Sequence, residues 1–106
     1  MSREQYYPTT SELKKIEKWE ISTVEKLYGL LHYLKERWQY ADVGYYKLTG
    51  RCVLKLRLST AGWSGNESLI GALQKNFIFW MVCWQKSERG GHYWFSINLK
   101  TYFKNG

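Results

Sequence analysis

The sequence predicts a small α+β domain: an antiparallel sheet of about four strands with two or three helices packed on one face. Three observations lead there. One is a helical apolar stripe over residues 24–38. Another is a set of alternating runs around residues 54–58 and 92–99. The third is the chain order, in which helical patterns and paired strand patterns take turns along 106 residues. That length suits one domain with a thin core. Six Trp and nine Tyr enlarge the core, because each large ring can bury about 150–250 Å².

Residues 1–8 read as a flexible tail closed by Pro8, the sole proline, and residues 9–106 as the folded domain. Thr9 and Glu12 have capping-box spacing and start a short helix. Leu13 and Ile16 fit one helical face, whereas Trp19 and Ile21 alternate with charges. The helix is therefore expected to give way to an extended piece near residues 17–21. Ser22 and Glu25 form a second capping-box signal. Behind them Val24, Leu27, Leu31, Leu34 and Trp38 recur at spacings of three and four, one stripe of a helix ending near Tyr40.

Leu54, Leu56 and Leu58 alternate with Lys55 and Arg57, a strand with one buried and one wet face. Tyr45–Leu48 is its expected hairpin partner, through Thr49-Gly50-Arg51. A Gly- and Ser-rich loop over residues 59–65 leads into a helix near Asn66. Ser64 and Glu67 supply a third capping-box spacing. The run from Phe77 to Gln85 is apolar on both faces and reads as a central strand. Residues 86–91 form a turn. His92–Leu99 returns with Tyr93, Phe95, Ile97 and Leu99 on one face, and Trp94, Ser96 and Asn98 on the other.

Net charge is +7 and uneven. Residues 41–106 hold nine Lys/Arg against three Asp/Glu, a net of +6, so an anionic partner is expected in that part. Cys52 and Cys83 lie in apolar runs outside any Cys-x-x-Cys pair. They read as reduced, buried thiols of a cytoplasmic protein. The polar N-terminus carries no signal-peptide pattern, and the longest apolar run, Phe77–Trp84, is too short for a bilayer. No membrane partner is therefore expected.

Two constellations suit binding. In the first, the loop carrying Trp63, Ser64, Gly65, Asn66 and Glu67 opens a helix, whose free N–H groups favour anions. Arg89 and His92 flank two glycines in the later turn, and a guanidinium pairs well with phosphate or carboxylate. Together they predict a site for an anionic small molecule, nucleotide-like in character. In the second, Trp80, Trp84 and Trp94 share a sheet face beside Lys55 and Arg57, as a platform on which bases stack. The same indoles suit the core, a homodimer interface or a host protein partner. No paired-acid, Cys/His or nucleophile motif appears, so no catalytic residue, metal or cofactor is expected and the protein reads as a non-enzyme.

Trp63-Ser64-Gly65-Asn66-Glu67, Ala72-Leu73, Phe79-Trp80, Trp84 and Arg89-Gly90-Gly91-His92-Tyr93-Trp94-Phe95 resemble a family of small uncharacterised bacteriophage and prophage proteins. The resemblance spans residues 56–97. It implies an accessory phage protein acting in the cytoplasm of a bacterial host, by sequestration or inhibition of a host process such as defence. It brings no assigned activity. Three readings stand open: a nucleotide-binding protein, a nucleic-acid-binding module and a protein–protein inhibitor or dimer.

Overall fold

The structure is a computed structural model that describes residues 7–99. The tail expected over residues 1–8 lies, through residue 6, outside the described residues. Thr9 caps α1 (Thr10–Glu17): its hydroxyl accepts from the Glu12 N–H, and the Glu12 carboxylate accepts from the Thr9 N–H. The other Glu12 oxygen accepts from Arg37 Nε at 2.9 Å, so one carboxylate both starts α1 and ties it to the next helix. The capping box and the exit into non-helical chain after Glu17 follow the sequence reading. In α2 (Val24–Arg37) the cap is Thr23 rather than Ser22, accepting from the Lys26 N–H. Leu27, Leu30, Leu31 and Leu34 form its buried side, and Trp38, at the C-cap, is buried beyond them.

After a 3-10 turn over Ala41–Val43, β1 (Tyr46–Thr49) and β2 (Val53–Ser59) form the expected hairpin. Then come α3 (Ser64–Lys75), α4 (Phe77–Cys83), β3 (Trp84–Glu88) and β4 (His92–Asn98). The sheet is antiparallel in the order β1-β2-β4-β3. Four α-helices, rather than two or three, occur among the described residues, and the α+β class stands.

Among the described residues the helices pack on one face of the sheet. Leu54, Leu56 and Leu58 of β2 and Phe95 and Ile97 of β4 are buried. They meet Ile16 of α1, the leucines of α2, Leu69 and Leu73 of α3 and Phe79 of α4 in a single core. The register pairs Leu54 with Ile97, Leu56 with Phe95 and Leu58 with Tyr93, so the apolar sets coincide. Their neighbours in sequence necessarily point the other way, to a face that none of the described helices packs against.

The expected central strand over residues 77–85 is incorrect. Phe77–Cys83 is helical, the strand begins at Trp84, and it forms an edge of the sheet. The cause is Asn76. Its Oδ1 accepts from the Phe79 N–H at 3.2 Å, capping α4, while its backbone N–H closes the end of α3 on Ala72 and Leu73 carbonyls. Its Nδ2 donates to the Ile16 and Trp19 carbonyls, each at 2.9 Å. One buried amide thus joins the ends of α1, α3 and α4. Cys52 is also corrected: it is exposed in the β1–β2 turn, and only Cys83 is buried.

Asn76→Ala removes the cap and strands two carbonyls in a site that is 4% exposed. It is expected to destabilise the fold by about 3 kcal/mol in urea denaturation.

Candidate functional site: the loop junction and the open sheet face

The loop after β2 meets the β3–β4 turn through Ser59 and Thr60. The end of β2 abuts the β3–β4 turn, with the Thr60 N–H donating to the Gly91 carbonyl at 2.9 Å and Ser59 Oγ lying 2.9 Å from His92 Nδ1. Gly91 has φ +79°, and a Cβ there would fall on Thr60 Oγ1, so this contact demands glycine.

The residues at the junction mostly serve the fold. Asn66 is buried. Its Oδ1 accepts from the Gln39 N–H at 2.8 Å and its Nδ2 donates to the Gln39 and Thr60 carbonyls. That amide holds α3 to the chain leaving α2. Gly65 is buried in the first turn of α3. Trp63, not Ser64, is the cap residue, and no side chain caps this helix, so the Ser64–Glu67 capping box is absent. The chain becomes helical one residue earlier than that spacing requires. Trp63 is half-buried against Tyr40, with ring centroids 5.3 Å apart. Ser64, Glu67 and Arg89 are exposed, and His92 is half-buried. Of the seven expected ligand residues, Gly65 and Asn66 are therefore interior and their bonding is internal.

The second constellation divides. Trp80 and Trp84 stack on each other at 5.9 Å and 14°. Trp80 also meets the edges or faces of Tyr93 and Phe95, which belong to the covered side of the sheet. The expectation that Trp80, Trp84 and Trp94 share one face is incorrect. Residues 80 and 84 are one helical turn apart at the end of α4, so they stack instead of alternating through a strand.

Trp94 lies on the open face, and its neighbours are cationic. The register sets Lys47 of β1 opposite Arg57 of β2, Arg57 opposite Trp94 of β4, and Trp94 opposite Lys86 of β3. This is one straight row across all four strands, cation-cation-indole-cation. The Arg57 guanidinium carbon is 5.5 Å and Lys86 Nζ 4.5 Å from the indole centroid. In the adjoining row Lys55 Nζ donates to Ser96 Oγ at 3.1 Å. On the other side Ser59, His92 and Glu88 are aligned, and Glu88 pairs with Lys86 at 3.2 Å. Glu88 is the acid within these rows. Lys55 and Arg57 were legible in the sequence. Lys47 and Lys86 were not, because their place depends on register and on β3 starting at Trp84.

A groove of about 620 Å³ lies elsewhere, between α1 and α2, lined by Trp19 and four lysines. Some of its polar groups are engaged within the chain: Trp19 Nε1 donates to the Lys26 carbonyl at 2.8 Å, and Lys26 pairs with Glu20 at 2.6 Å. Among the described residues, no group of three or more His, Cys, Asp and Glu is placed to hold a metal ion, and no helix is long and apolar enough to cross a membrane.

Two outcomes follow from this geometry. Gly62 has a φ close to that of Gly91, +76°, yet nothing lies near its missing Cβ. Thermal denaturation should therefore find Gly91→Ala less stable than Gly62→Ala by about 1–3 kcal/mol, the cost of the collision with Thr60 alone. Burial pushes the Cys83 thiol up to about 12. At pH 8 a thiol reagent should label Cys52 alone in the folded protein, and Cys83 only after denaturation. No family model, no curated protein and no solved structure matches this chain.

Proposed function

We propose that this protein is a non-enzymatic module that binds single-stranded nucleic acid across its open sheet face. The observation that carries the reading is the row Lys47–Arg57–Trp94–Lys86 on a sheet face that no described helix covers. Nucleic acid without sequence preference is held by cations that track the phosphates and by rings on which bases stack. The row offers both. Neighbouring strands lie about 4.8 Å apart, so the cations are spread over roughly 14 Å instead of converging on one point. A spread of that kind suits a polymer of phosphates better than one nucleotide. Small-molecule sites are concave, and this surface is a sheet face.

In the bound state a base would lie on the Trp94 ring. The Lys86 ammonium, now above that ring, would move aside toward a phosphate. Arg57 offers a two-pronged donor and Lys47 and Lys55 point charges. Ser96 and His92 add polar contacts on either side. A mononucleotide held at Trp63, Arg89 and His92 is the weaker reading, because Gly65 and Asn66 are turned inward there. Occlusion of a nucleic acid needed by the host accords with the phage resemblance and with action by sequestration.

Fluorescence anisotropy with labelled 12-nucleotide DNA and RNA strands between 50 and 300 mM salt tests this. Affinity should fall with salt at a logarithmic slope of roughly −2 to −3, for three or four phosphate contacts. Arg57→Ala should flatten the slope by about 0.7. Trp94→Ala should weaken binding by about 1–3 kcal/mol at unchanged slope. Trp63→Ala and Arg89→Ala should leave binding intact. No binding to any strand at 50 mM salt rejects the proposal; loss on Trp63→Ala but not on Trp94→Ala moves the site to the loop junction.

A further inference from the structure

The outer side of α4 breaks the rule that a surface helix is polar where it meets water. Only Phe79 and Cys83 of this helix are buried, and Trp80 is half-buried. Phe77 is 68% exposed, Met81 63% and Ile78 53%, with Val82 and Trp84 each above 40%. Five large apolar side chains within eight residues are thus exposed, the kind of surface that marks a partner site. The chain runs directly from this helix into β3, the outer strand of the sheet, whose five residues are all exposed. Among the described residues nothing pairs with the free edge of β3. The opposite edge differs: in β1 Tyr46 is buried, with its hydroxyl donating to the Leu31 carbonyl.

We propose that two copies of this chain join at the β3 edge and the apolar side of α4 to form a two-fold symmetric dimer. Charge selects a second copy as the occupant. Each chain carries +7, which opposes self-association in general, yet residues 77–85 contain no charged side chain. This is a surface on which two copies can meet without burying a cation. Charge and backbone together also select the register. The strand is irregular between Trp84 and Lys86, so its regular edge is Lys86-Ser87-Glu88. Paired antiparallel about Ser87, that edge places each Lys86 opposite the partner's Glu88, twice over. Paired about Lys86 it would set two ammonium groups face to face, which is disfavoured.

A stable dimer removes about 800 Å² from each copy, more than a three-residue edge supplies, so the contact has to take in the exposed side of α4 as well. The contact is isologous, as two-fold interfaces must be. An axis perpendicular to the sheet also leaves both open faces on one side, so two cation-indole rows would lie in one continuous surface. The dimer itself rests on α4 and β3 and does not depend on the nucleic-acid reading.

Sedimentation equilibrium of the full chain, without nucleic acid and from 1 to 200 µM, is the test. The expected result is a species of twice the 12.7 kDa chain mass. Met81→Lys changes an exposed side chain and should weaken dimerisation at least tenfold while circular dichroism stays unchanged. Lys86→Glu and Glu88→Lys should each weaken it at least tenfold, and the double variant Lys86→Glu/Glu88→Lys should restore it. A wild-type chain that stays monomeric at 200 µM overturns the proposal, whether or not it binds strands or lipid vesicles. A dimer that survives Met81→Lys, or a double variant that fails to recover, overturns it equally.

Discussion

The alternation of side chains along β2 and β4 is the constraint from which the rest of the molecule follows. A strand has two faces and a period of two, so burying Leu54, Leu56, Leu58, Phe95 and Ile97 compels Lys55, Arg57, Trp94 and Ser96 to the other side. All the helices that contribute to the core use the first face. On the second, Lys47, Lys55, Arg57 and Lys86 are exposed. The row of cations about Trp94 is thus the reverse side of the hydrophobic core, and a slip of one residue in the β2–β4 register would destroy both together.

Buried polar contacts position the helices over that sheet, among them the Tyr46 hydroxyl on the Leu31 carbonyl. Trp38 Nε1 donates to the Ser59 carbonyl at 3.1 Å, fixing the end of α2 to the end of β2. Asn66 joins the chain after α2 to the start of α3, and Asn76 joins α1, α3 and α4. Trp38, Asn66 and Asn76 each satisfy backbone groups at helix or strand ends that would otherwise be buried without partners. Among the described residues no buried side-chain polar atom lacks a hydrogen bond. Part of the loop motif belongs to this framework: Asn66 ties α3 to the Thr60 carbonyl, and Thr60 and Ser59 hold Gly91 and His92 of the β3–β4 turn against the end of β2.

Much of this arrangement was legible in the sequence. The stripe of α2, the Thr9–Glu12 box, the hairpin and the inward set Tyr93, Phe95 and Ile97 each rest on a local period or a local hydrogen bond. Their signals survive without knowledge of the fold. The misreading of residues 77–83 has a physical cause. A helix is recognised by a polar side that interrupts its apolar one, and Phe77–Cys83 has none, so the 3.6 period leaves no trace. Asn76 was the available signal, as a cap residue preceding the run. The loss of helical pattern and the exposed apolar surface on α4 are one fact seen twice.

The candidate face was half legible for a related reason. Lys55, Arg57 and Trp94 could be assigned to the outward side of their strands from parity alone, since parity is a property of each strand by itself. Whether Trp80 and Trp84 joined them depended on secondary structure, and whether Lys47 and Lys86 did depended on register. The sequence by itself determined which side of β2 and of β4 is apolar and, to within two residues, where α1, α2 and α3 begin, because those are set by neighbours along the chain. Only the tertiary structure decided the strand order, the face on which the described helices pack and the alignment of Lys47, Arg57, Trp94 and Lys86. Those arise from pairing between residues up to 45 apart, Val53 with Asn98, where no local rule of side-chain chemistry chooses the partner.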